Sequence, residues 1–121
     1  MRPQNIVRFI EKALKAQRSV ANAEKEAKDT LKLIENQFTE MYMETQIAFY
    51  IALHYALTKH YKSAYLIAQH CLQEIERVSE FADRNNLKHQ KVSDQISLFQ
   101  NTYVNQLNMM RVRCHVKLLA Q

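Results

Sequence analysis

Glycine is missing from all 121 residues, proline occurs once, and tryptophan is absent. Hairpin turns, phosphate-binding loops and nucleophile elbows rely on glycine for backbone that other residues adopt at a cost. Its absence argues against β-rich and α/β folds and against any phosphate-cradling loop. The two cysteines, Cys71 and Cys114, are too few for a disulfide framework. Each lies in an apolar helical pattern, so both read as buried free thiols, which suits a reducing, cytoplasmic setting. The first residues are polar and basic with no continuous apolar run behind them, so no signal peptide is expected. The stretch with fewest charges, Thr45 to Thr58, contains Gln46, His54 and two tyrosines. It is shorter than the roughly 20 residues that span a bilayer, and it reads as a buried helix with no membrane insertion.

What remains is a helix-forming composition. Apolar residues make up 47% of the chain, enough for one core. Ala, Leu, Gln, Glu, Lys and Met are plentiful, and all are good helix formers. Pro3 suits the first turn of a helix, where its missing N–H costs nothing. Ile6, Phe9, Ile10, Ala13 and Leu14 then recur at three- and four-residue steps. Asn22 to Thr30 is polar and Ala-rich without a breaker, and reads equally as a loop or as continuing helix.

A second pattern holds Leu31, Leu33, Ile34, Phe38, Met41, Tyr42, Ile47, Ala48, Ile51, Ala52 and Tyr55, and stops near Thr58–His60. It is apolar almost all round near Phe49 and Tyr50, as in a helix central to a bundle. A third runs from Ala64 through Leu66, Ile67, Ala68, Cys71, Leu72, Ile75 and Val78 to about Phe81. Asp83, Arg84, Asn85 and Asn86 form a polar break. The last starts near Ser93 and holds Ile96, Phe99, Tyr103, Leu107, Met110, Cys114 and Leu118. The expected fold is all-α: one domain over residues 1–121, with about four helices in antiparallel hairpins.

Around the second break the residues have the logic of a tetratricopeptide-like hairpin. Small Ala52 and Ala64 allow close approach, while Ile51, Tyr55, Tyr61, Ile67 and Cys71 fill the space beside them. The match is partial. Ala48 and Ala52 stand where such repeats prefer Trp and Gly, Ala68 replaces a larger aromatic, and Glu76 replaces the closing Pro. No second copy follows at the repeat spacing. An ordinary antiparallel helix pair explains these residues equally well.

Catalytic and metal signals are thin. His54, His60, His70, His89 and His115 form no His-x-x-x-His pair, and there is no Cys-x-x-Cys and no Glu-x-x-His. Neighbouring His70–Cys71 and Cys114–His115 point to different sides of a helix. Glu40 and Glu44 read as a solvated edge. The chain is therefore expected to be no enzyme, with no cofactor, no metal and no small-molecule substrate. Met41, Met43, Met109 and Met110, with Tyr42 and Tyr103, suit either core filling or an adaptable binding surface.

Charge is unevenly placed around a net of +5. Arg2, Arg8, Lys12, Lys15 and Arg18 face only Glu11 within residues 1–18, and Arg111, Arg113 and Lys117 are unopposed within 111–121. Between Glu24 and Glu80, nine acids face six bases. A solvated helix face is the commoner meaning of such clusters. The functional alternative is contact with RNA phosphates or an acidic partner through Arg2, Arg8, Lys12, Lys15, Arg111, Arg113 and Lys117, provided the two ends meet on one side. RNA binding of that kind would be weak, salt-sensitive and indifferent to sequence.

The opening Arg2-Pro3-Gln4-Asn5-Ile6-Val7-Arg8-Phe9 resembles a segment of the sixty-eight-kilodalton subunit family of the eukaryotic signal recognition particle. The stretch Ala48-Phe49-Tyr50-Ile51-Ala52, with Tyr55, Leu57, Lys59, Tyr61, Ala64 and Leu66, is similar to the hairpin that follows in that family. Gln106, Leu107, Arg111 and Cys114 fit the next element more loosely. The resemblance implies a segment of a subunit several times longer. That subunit binds the particle RNA, pairs with the seventy-two-kilodalton subunit and supports co-translational targeting to the endoplasmic reticulum. The family's main RNA-binding domain precedes the matching region and its partner-gripping tail follows it, so the segment's own role would be a helical spacer or platform. An unrelated helical adaptor for a protein partner, and a basic helical RNA-binding module, are the competing readings.

Overall fold

The computed structural model describes residues 3–121, and among them there are helices and no strand. Helix α1 spans Pro3–Leu57, α2 Tyr61–Arg84, α3 Gln90–Leu98 and α4 Val104–Leu119. A π-helical turn, Phe99–Tyr103, joins α3 to α4, so these two run on as one rod. Asn22 to Thr30 is helical, and the first two sequence patterns belong to a single helix. The count is thus three long helices where the apolar patterns suggested four. With no glycine and no internal proline, nothing in the polar stretch interrupts the backbone ladder.

Residue contacts divide the chain into two units, one ending at Glu35 and one formed by Asn36–Gln121. In the first, every described residue up to Leu33 is exposed. The second holds the core.

Two reversals build that core without glycine. Lys59 takes a left-handed backbone, φ 64°, after the last turn of α1. Its N–H donates to the Ala56 carbonyl (3.2 Å), and that of His60 to the Tyr55 carbonyl (2.9 Å). Asn86 repeats the arrangement after α2 at φ 53°, with its own N–H on Asp83 (3.3 Å) and that of Leu87 on Ala82 (3.0 Å). These are paired Schellman bonds, which satisfy carbonyls that a helix end leaves open. Thr58 Oγ1 adds a bond to the His54 carbonyl at 2.9 Å.

The buried stripe of α2 is Ala64, Ala68, Cys71, Ile75, Val78 and Ala82, all within 2% of complete burial and spaced alternately by four and three. On α1 the buried residues are Phe38, Tyr42, Thr45, Phe49 and Ala52, with the same spacing. On the third rod they are Val92, Phe99, Tyr103, Leu107, Met110 and Cys114. Here two four-residue steps follow each other, Phe99 to Tyr103 to Leu107. The wider π turn absorbs the extra residue and keeps both halves of the rod on one face.

Aromatic stacking ties α1 to that turn. Tyr42 lies on Phe99 with centroids 4.5 Å apart, and Phe49 on Tyr103 at 4.2 Å. Gln46 Nε2 donates to the hydroxyls of Tyr42 and Tyr103, at 3.3 and 3.5 Å. Each such ring pair stabilises by about 0.5–1.5 kcal/mol beyond its buried area. Between α1 and α2, the Cys71 thiol donates to the Thr45 carbonyl at 3.5 Å.

The hairpin core differs from expectation in one respect. Ala52, Ala64 and Cys71 are buried, and Tyr55, Tyr61 and Ile67 are half-buried, but Ile51 is 43% exposed. The expectation took both Ile51 and Ala52 into the core, and only Ala52 lies on the seam. The four-three spacing runs through Phe49 and Ala52, and Ile51 lies about 100° away on the helix. Ile47 and Tyr50 are exposed with it, so α1 is not covered on all sides here.

Three outcomes follow from this packing. Ala64→Leu should overpack a fully closed site and cost roughly 1–3 kcal/mol in urea denaturation, whereas Ile51→Ala should stay within about 0.5 kcal/mol. Lys59→Gly should raise stability by up to about 1 kcal/mol, because glycine removes the left-handed penalty while adding freedom to the unfolded chain. Burial, aided by Glu74, pushes the Cys71 thiol from 9.0 up to about 12. Burial also pushes up Cys114, Tyr42 and Tyr103. Well below pH 9 the Cys71 thiol is neutral in both states and stability is full. As pH rises from there toward about 12 the unfolded thiol ionises first, so stability falls. Melting temperatures measured across that window should drop, and less steeply for Cys71→Ala.

Candidate partner-docking site

At the turn end of the bundle, the last turns of α1, the first residue of α2 and the outer face of α4 enclose an open cleft of about 380 Å³. Its floor is apolar. Leu53, Ala56 and Leu57 come from α1, Tyr61 from α2, and Met109, Met110 and Cys114 from α4. Arg113 and Lys117, one turn apart on α4, form its rim. The Schellman turn at Lys59 separates the end of α1 at Leu57 from the start of α2 at Tyr61, and both residues line the cleft. Leu57 is 74% and Met109 55% exposed, so a large part of the floor faces solvent.

The sequence-derived basic residues separate. Arg113 and Lys117 share the cleft rim, but Arg111 lies two positions away and turns to the other side of α4. There its guanidinium carbon sits 5.6 Å from the centroid of the Tyr65 ring, and its Nε is buried with no hydrogen-bond partner. His115 approaches the same ring at 6.1 Å. Arg111 is thus held by a cation–π contact away from its two neighbours. Arg8, Lys12 and Lys15 belong to the first unit, where they are exposed and, at steps of four and three, share one face of α1. Arg2 lies outside the described residues.

The methionines divide too. Met110 is buried and Met41 half-buried, while Met43 and Met109 are exposed. Met109 and Met110 lie side by side in the cleft, where flexible thioether chains adapt to an apolar guest. The sequence marked these methionines but not Leu53, Ala56 and Leu57 as their companions. The available signal was that Leu57 and Met109 are large apolar residues outside the four-three stripes.

An apolar floor buries hydrophobic side chains, and two cations on one edge favour carboxylates beside them. Among the described residues, no group of three or more His, Cys, Asp or Glu side chains gathers to hold a metal ion, and no helix is long and apolar enough to cross a membrane. No protein-family model, no curated protein sequence and no solved structure matches this chain.

Proposed function

We propose that the chain is a non-enzymatic helical scaffold segment that docks an apolar, acidic stretch of a protein partner in the cleft between α1, α2 and α4. The observation that carries this reading is the pairing of an exposed methionine–leucine floor with Arg113 and Lys117 on one edge. Helix-in-groove recognition uses such a floor for its anchors, and charge on the rim sets orientation.

The resemblance noted in the sequence supplies the finer proposal. On it the chain is a scaffold segment of a signal recognition particle subunit, cytoplasmic, supporting co-translational targeting, with the seventy-two-kilodalton subunit as the protein partner. The uninterrupted helices and the closely packed Ala52, Ala64 and Ala68 suit a platform of that kind. A basic RNA-binding module draws less support, since Arg111 is occupied by Tyr65 and does not stand beside Arg113.

Titration of the chain with the seventy-two-kilodalton subunit, followed by calorimetry, tests both levels. Saturable binding that Met109→Glu combined with Arg113→Glu weakens by at least about tenfold, or roughly 1.4 kcal/mol, is expected. Both side chains are exposed, so the melting temperature should stay within a few degrees. Binding unaffected by the double variant would remove the cleft from the proposal. Absence of binding to this subunit would remove it as the occupant of the cleft and leave the segment the spacer role that the resemblance implies.

A further inference from the structure

The first unit carries a surface that the docking cleft does not use. At about 100° per residue, Ile6, Val7, Phe9, Ile10, Leu14 and Val20 fall within one arc of roughly 160° on α1. All six are exposed, Phe9 by 66%. Arg8, Lys12 and Lys15 occupy the opposite face, and Arg18 borders the apolar arc. Glu11 is the one acid in residues 3–21. The pattern ends sharply. Past Asn22, Glu24 and Lys28 enter the arc, and the charges Glu24, Lys25, Glu26, Lys28, Asp29 and Lys32 mix in sign.

A second copy of the chain fits this face poorly. One partner helix covers a narrow seam of two positions in seven, whereas here Val7 and Leu14 extend the arc on one side and Phe9 on the other. Continuing the same four-three seam brings Gln17 and then Glu24 onto it, and in parallel pairing Glu24 would face its own copy. Nucleic acid would engage the basic face and leave the whole apolar arc in water. A lipid surface meets both features at once. It covers a wide arc without needing register, and its anionic headgroups attract the cations of the polar face, of which Arg18 and Lys12 lie nearest the arc.

We propose that residues 3–21 of α1 lie flat on an anionic lipid surface. Phe9, Ile10 and Leu14 enter the boundary between headgroups and acyl chains. The long stems of Lys12 and Arg18, nearest the edges of the arc, carry their charges up to the lipid phosphates. This is peripheral binding and requires no spanning segment.

The test is co-sedimentation of the full chain with vesicles, with oligomeric state measured separately by sedimentation equilibrium without lipid. The chain should pellet with phosphatidylcholine vesicles containing about one-third phosphatidylserine and remain free of pure phosphatidylcholine vesicles. Raising the salt should weaken the binding. Lys12→Gln with Arg18→Gln should lower affinity by about thirtyfold, and Phe9→Asp with Ile10→Asp should abolish it. Circular dichroism should show both variants as helical as the parent. Equal binding to both vesicle types, or binding that survives the aspartate pair, would overturn the proposal. So would an oligomer without lipid that the aspartate pair dissolves, which would give the face to a second copy. Failure to pellet would overturn it as well, and RNA binding that the aspartate pair leaves intact would then assign the basic face to nucleic acid.

Discussion

Chain reversal without glycine is the constraint on which the core depends. A helix rich in Ala, Leu, Glu and Lys has no internal reason to stop, and α1 runs through fifty-five residues before it does. It stops where Lys59 accepts left-handed backbone, and α2 stops where Asn86 does the same. Such backbone costs an ordinary L-residue roughly 1–2 kcal/mol. The paired bonds from Lys59 and His60, and from Asn86 and Leu87, offset that cost by satisfying terminal carbonyls. Leu87 then drops into the core, 5% exposed, and fixes where the third rod begins. Loss of either reversal would leave the apolar stripes without neighbours.

Once the chain has reversed, side-chain size decides the packing. The α2 stripe is lined with alanine at both ends, which brings backbones close, while rings occupy the space between α1 and the π turn. Tyr42 on Phe99 and Phe49 on Tyr103 lie at near-stacking angles of 19°. The π turn makes this compatible with Leu107, Met110 and Cys114 further along. Its consequence reaches the cleft, because the phase of α4 after the turn determines which side chains face the end of α1. With that phase, Met109, Arg113 and Lys117 line one cleft with Leu53 and Leu57, and Arg111 meets Tyr65.

The two units divide their chemistry. Asn36–Gln121 buries its apolar stripes and exposes a small, edged cleft. Residues 3–33 form an amphipathic helix whose apolar side chains are all exposed. Helices of this kind derive most of their stability from tertiary contact rather than from propensity. A surface that covers the arc would therefore stabilise the helix as it binds, linking occupancy to order.

The sequence by itself determined the all-helical class, since a glycine-free chain of helix formers with three- and four-residue apolar spacing has no other economical backbone. It also determined the stripe of the last rod, where Phe99, Tyr103, Leu107, Met110 and Cys114 are all buried as their spacing implies. Both breaks were legible as polar clusters. The tertiary structure alone decided the rest. Continuity through Asn22–Thr30 was open because that segment has helix formers but no apolar period to reveal it. Ile51 and Ala52 were indistinguishable as core candidates until neighbouring helices closed over one and not the other. The cleft joins Leu53 to Met109, fifty-six positions apart, and the charge of Arg111 separates from that of Arg113 by a half-turn of helix. Periodicity reports which residues share a face of their own helix, and only packing between helices settles which of those faces meet.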